Sequence, residues 1–179
     1  MNPSIQQIKD SPLKANGRFG RLSFIAWNFL VPFFLTICSY ALLAAIYLFN
    51  LAEENAAISI IFFIMIAALY IAIFYFNFVF TIRRLHDKNL SGWLSLLILV
   101  PLLNIFFILF LLFAKGDEDS NQFGPVRTTA TWEKVIAWIY IIIIPITIIF
   151  TIITLASIAP RFNEIQQALE EIPVSEVAS

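Results

Sequence analysis

Long uncharged stretches alternate with short polar islands along this chain. Residues 22–52, 55–82, 89–114 and 135–160 contain no Asp, Glu, Lys, Arg or His. Each exceeds the roughly 20 residues a helix needs to cross the hydrocarbon core of a bilayer. The pattern predicts an all-α, polytopic transmembrane helical bundle with four hydrophobic segments.

The first two segments meet at Glu53 and Glu54, a tight acidic turn, and should form a helical hairpin. Ser23 is a candidate N-cap and Trp27 a candidate interface anchor for the first of them. The third segment is interrupted near its middle by Pro101 and Asn104. Two readings follow: a single kinked crossing, or a re-entrant hairpin broken at Pro101 that returns to the side it left. Segment length favours the crossing. Charge favours the hairpin, which collects every Lys and Arg except Arg161 on one side, whereas a crossing moves Lys115, Arg127 and Lys134 to the other. The last segment carries Pro145, with Trp132 and Trp138 at its start as an interfacial belt. The implied division is a basic N-terminal segment 1–21, a membrane domain 22–127, an additional transmembrane helix 128–162 and an acidic tail 163–179. In that tail Ile165, Leu169 and Ile172 recur at helical spacing.

Composition sharpens the class. At 60% hydrophobic residues the chain lies well above the roughly 45–50% of soluble domains. The near-neutral net charge of −1 conceals a segregation of charges into the islands. The one cysteine, Cys38, lies inside an apolar run, which excludes an intrachain disulfide and a thiolate-rich metal site. The first apolar run is longer than a signal-peptide core and is expected to be retained as an anchor.

The densest island, residues 83–93, holds the only histidine and offers the candidate chemistry. Arg83, Arg84 and Lys88, joined by Arg18 and Arg21 from the N-terminal segment, should share one membrane face. There they mark topology or present guanidinium forks to a lipid phosphate or an acidic partner segment. His86 and Asp87 belong to the same lipid- or partner-binding group. With Ser91 they supply triad-type residues, but neighbours in sequence point apart, and Asp87 is expected instead to pair with an arginine while His86 hydrogen-bonds across the loop. Residues 117–121 begin like a calcium loop and then depart from it at Gln122 and Thr128, so no metal site is expected. No ionisable group lies inside the apolar runs, against a proton-coupled transporter or an intramembrane hydrolase. The polar residues there are Asn28, Asn77, Asn104, Tyr40, Tyr70, Tyr75 and several Thr and Ser, which are expected to hydrogen-bond helix to helix. Ala41 with Ala45 and Ala68 with Ala72 have the spacing of a helix contact.

Three motifs recur in order: Gly17-Arg18-Phe19-Gly20-Arg21 with Phe24 and Trp27; Arg83-Arg84-Leu85-His86-Asp87 followed by Ser91-Gly92-Trp93; and Gly116 with Asn121-Gln122-Phe123-Gly124-Pro125. Together they resemble the bacterial inner-membrane family called domain of unknown function 805. The third departs from the family pattern, with Gln122 where an Arg is usual and Asp119 where a Gly is usual, which weakens any anion-binding role for that loop. Residues 152–162 also resemble a type IV pilin-like helix, without a head domain or preceding processing site. The resemblance implies a small polytopic inner-membrane protein and no known activity.

The expected function is accordingly that of a non-enzymatic adaptor or assembly factor, multi-pass in the bacterial inner membrane with its N-terminus cytoplasmic. It would engage anionic lipid or a membrane-protein partner, with homo-oligomerisation open, no nucleic acid and no cofactor. The alternative is a small-solute or ion pathway formed by an oligomer and lined by Asn77 and Asn104.

Overall fold

The computed structural model describes residues 11–49 and 56–170, with side chains as far as 161. Four α-helices and one 3-10 helix account for its regular structure: α1 (Arg21–Leu48), α2 (Ala56–His86), the 3-10 helix Gly92–Leu99, α3 (Pro101–Phe113) and α4 (Thr131–Glu170). Among the described residues there is no strand. The Glu53–Glu54 turn, residues 1–10 and residues 171–179 lie outside them. The chain falls into two compact units, residues 1–138 and 139–179.

In the first unit α1 and α2 form an antiparallel hairpin, and the buried core sits at the end where α1 begins and α2 finishes. Phe19, Phe24, Val79, Phe80, Leu85, Phe107 and Leu111 are its centre. An aromatic run binds it: Phe19 stacks on Trp27 at 6.5 Å and lies 5.9 Å from Phe80, which stacks on Phe76 at 6.0 Å. Away from that end Phe33, Phe34, Ile61, Phe63 and Ile71 are exposed. Water would make such a surface costly, whereas lipid makes it ordinary. By length and composition α1, α2 and the Thr131–Arg161 part of α4 can each cross a membrane, so the chain is an all-α membrane protein.

α2 stops through its own backbone. Leu90 N donates to the Leu85 carbonyl and Asn89 N to that of His86, with Asn89 at φ 56°, which is a Schellman motif with asparagine in the left-handed position. Leu85 and Leu90 both pack in the core and complete it. Ser91 then caps the 3-10 helix, its hydroxyl accepting from Trp93 N at 3.4 Å.

The third hydrophobic segment returns to the end it left. Pro101 is not a kink in one long helix but the first residue of α3, where its missing N–H costs nothing. The 3-10 limb, at about 2 Å per residue, and α3, at about 1.5 Å per residue, are each too short for a hydrocarbon core of about 30 Å. Both outer ends are fixed beside the C-terminus of α2. Ala114 and Leu111 accept hydrogen bonds from Arg84, and Gly92 abuts Ile82 and His86. Of the two readings, the re-entrant hairpin is the one the fold adopts.

In the second unit α4 continues through Pro145 and Pro160 to Glu170. Thr147, Thr151, Thr154 and Ser157 return their hydroxyls to carbonyls three or four residues earlier, which lets polar side chains sit in an apolar helix without seeking partners. The first half of the expected acidic tail is thus helical.

Candidate functional site

The three polar motifs converge at the core end of the hairpin, and their arginines turn inward. Arg18 is 1% exposed, and Arg83 and Arg84 are 0%. The expectation that these three present forks to a headgroup is therefore corrected in its direction, because a buried guanidinium must satisfy its five donors within the protein. Backbone oxygens accept most of the hydrogen bonds these three donate. Arg83 Nη1 donates to the carbonyls of Ser11 and Lys14, both at 3.1 Å, and to that of Asn16, while its guanidinium carbon lies 4.2 Å from the centre of the Phe19 ring. Arg84 Nε donates to the Leu111 carbonyl at 2.7 Å, Nη2 to Ala114 and Nη1 to Phe19 at 3.3 Å. Arg18 reaches the carbonyls of Asp117 at 2.6 Å and Asp119 at 2.7 Å.

Asp87 is the shared counter-ion. Its Oδ1 accepts from Arg18 Nε at 3.1 Å and its Oδ2 from Arg84 Nη1 at 2.5 Å. Its own carbonyl accepts from Asp117 N at 2.8 Å. Gly116 has to be glycine here: a Cβ on it would sit 1.9 Å from Asp87 Oδ2. Sequence reasoning anticipated an Asp87–arginine pair, and the structure supplies two, one of them from a motif far away in the chain.

His86 hydrogen-bonds across the loop, Nδ1 lying 3.3 Å from the Gly17 carbonyl, while its ring stacks on Phe123 at 3.7 Å and 7°. Phe123 is placed by Asn121, whose Oδ1 accepts from Phe123 N and whose Nδ2 donates to the His86 carbonyl at 2.8 Å. Gly124 closes this small turn at φ +117°, a backbone conformation that favours glycine, and Pro125 follows. Gly17 is likewise left-handed at φ +89°, and Gly20 precedes the first residue of α1. His86, Asp87 and Ser91 do not converge: imidazole, carboxylate and hydroxyl each serve a different neighbour. Gly92 lies against His86, and Trp93 points away at 81% exposure.

Other cations among the described residues are accessible. Lys14, Arg21, Lys115 and Lys134 are exposed, and Lys88 is half-buried with its ammonium on the Lys115 carbonyl. Lys115 pairs with Glu118, and that hydrogen bond and charge hold the Glu118 carboxyl below its usual range.

A second polar centre escaped sequence reasoning. Glu133, fully buried, accepts from Arg127 through both oxygens at 2.7 and 2.8 Å, from Trp27 Nε1 at 2.7 Å and from the Ser23 hydroxyl at 2.9 Å. Its Oε2 also accepts from Ala130 N, the reach of an N3 glutamate to the N-cap backbone. Ser23 is therefore not the cap of α1, which starts two residues earlier after Gly20, and Trp27 uses its indole N–H on Glu133 rather than on an interface. The available signal was a glutamate three positions inside the start of a helix, with an arginine six residues upstream. The Asn28–Asn77 pair does join α1 to α2, Asn77 Nδ2 donating to Asn28 Oδ1 at 3.3 Å.

A sequence model of the family described as protein of unknown function (DUF805) matches residues 12–125, a span that includes all three motifs. No curated protein and no solved structure matches the chain.

Proposed function

From the premise that the chain belongs to the DUF805 family, we propose that it is a non-enzymatic adaptor or assembly factor of the bacterial inner membrane, with its N-terminus cytoplasmic. It engages anionic lipid or the acidic segment of a membrane-protein partner. One observation carries this reading. Buried Arg18, Arg83, Arg84 and Asp87 bind residues 11–19, the end of α2 and residues 111–124 into one polar cap, on which Lys14, Arg21, Lys115 and Lys134 stay exposed. A rigid cap with exposed cations at a membrane boundary suits attraction to anionic headgroups, at about 1 kcal/mol per cation near the surface. The gathering of cations at one end of the hairpin supports a cytoplasmic cap. The divergence of His86, Asp87 and Ser91 supports the absence of hydrolytic chemistry.

The test replaces Lys14, Arg21, Lys115 and Lys134 by Gln, leaving the buried arginines in place. Phosphatidylglycerol retained by the purified protein should fall about tenfold or more, or a discrete adduct from a photo-crosslinker at the exposed position 120 in cells should vanish. If the variant keeps both, the reading fails. A solute pathway draws support only from Asn104, whose Oδ1 is buried without a partner, because Asn77 is spent on Asn28. Liposomes carrying the protein are expected to show no solute flux above empty ones.

A further inference from the structure

On the flank of the cap lies an open groove of about 610 Å³, within the size range of small-molecule sites. None of the cations invoked above lines it. Its apolar part is formed by Phe78 and Ile82 of α2 and Leu96 of the 3-10 helix, and Trp93 stands exposed at its edge. Its polar part consists of His86, Gln122, Ser91 and Ser95.

The chemistry at that polar end is specific. A carbonyl can only accept, so the His86 contact with Gly17 places the proton on Nδ1, and in the neutral ring Nε2 is left as an acceptor. Nε2 lies on the groove side, 3.3 Å from where a Cβ on Gly92 would stand. Gln122 is exposed and directs its Nε2 to the Asn89 carbonyl at 3.4 Å, which leaves its amide oxygen as a second acceptor. No charged side chain lines the groove. At the other end Phe78 continues onto Phe74, one turn deeper along α2, where the rings lie 4.9 Å apart and Phe74 is exposed on a helix apolar enough to span a membrane. The groove thus runs from hydrogen-bond acceptors at the cap into the lipid-facing surface of α2.

We propose that this groove binds a membrane glycerolipid with an uncharged, hydroxyl-bearing head, the hydroxyl donating to His86 Nε2 and the Gln122 amide oxygen and an acyl chain lying along Phe78, Ile82 and Leu96. Such a ligand matches the site in each part: a hydroxyl, which both donates and accepts, against the two acceptors and the Ser91 and Ser95 hydroxyls, no charge against no charge, hydrocarbon against aromatic and aliphatic walls. A phosphate head would meet the unprotonated nitrogen and the amide oxygen with no cation to offset the repulsion. This goes beyond the cationic face of the proposed function, and either can fail alone.

The experiment uses the full-length protein in phosphatidylcholine vesicles at pH 8, above the ~6.5 of an ordinary imidazole. The probe is diacylglycerol with a photoreactive acyl chain. Labelling should concentrate in residues 78–96 and 122–123. Unlabelled diacylglycerol should compete at least fivefold better than its O-methyl ether, which has lost the donor, and better than phosphatidylglycerol. Gly92→Leu, which projects a side chain between Ile82 and His86, should reduce labelling at least fivefold. The exposed Gln122→Arg tests the same site in a variant that keeps its packing, and it should reverse the preference toward phosphatidylglycerol. Labelling spread evenly over the apolar helices, indifference to the O-methyl block, or an unchanged preference in Gln122→Arg would overturn the proposal.

Discussion

At the scale of single residues, the polar cap depends on buried charges whose every partner is internal. A guanidinium withdrawn from water is tolerable only when its donors are matched, and truncating one partner of a buried pair costs about 3–5 kcal/mol. Gly116→Ala forces a methyl group into the Asp87 carboxylate and should lower stability by about 1–3 kcal/mol, read as a lowered Tm in detergent. An unchanged Tm would mean that Asp87 has room to move. Arg84→Lys keeps the charge but loses the planar fork that reaches Leu111, Ala114 and Phe19 at once. It should cost about 2 kcal/mol or more through unsatisfied carbonyls. Because orientation depends on charge rather than on geometry, the same variant should insert the same way round. Loss of orientation with stability intact would reverse this assignment of roles.

Among the elements, the re-entrant pair of the 3-10 helix and α3 has the most direct consequence. Lys14 and Ser120 lie at the same end of the hairpin, although a complete crossing of residues 89–114 would separate them. In a Cys38→Ser background, Lys14→Cys and Ser120→Cys should both be labelled by an impermeant thiol reagent from the same side of the membrane. Labelling from opposite sides would sink the hairpin. The start of α4 depends on Glu133 in a comparable way. Glu133→Gln weakens the contact with Arg127, Ser23 and Trp27 by about 2–3 kcal/mol, less than for a fully buried pair because Arg127 keeps some solvent contact. Trypsin should then cleave after Arg127 several-fold faster, and an unchanged rate would show that the helix start is held by other contacts.

For the whole molecule, hydropathy and charge distribution made the membrane class, the first hairpin and the last span readable from the residues alone. Exclusion of charge from hydrocarbon acts on composition and needs no tertiary contact to be seen. The three motifs could be recognised for the same reason, as polar islands that the membrane pushes to its boundary. What they do for one another could not. That Arg18 reaches Asp87 and the Asp117 carbonyl, and that Glu133 gathers Ser23 and Trp27, depends on contacts between residues some 70 to 110 positions apart. No local period encodes those pairings. The path of residues 89–114 was balanced in sequence because its length permits a crossing and its proline permits a return. The balance was broken by Arg84, which holds the far end of α3 beside the end of α2. Burial in lipid is written residue by residue, but the direction a polar side chain takes at the boundary is decided by whichever carbonyls the fold brings within reach, and only the assembled chain contains them.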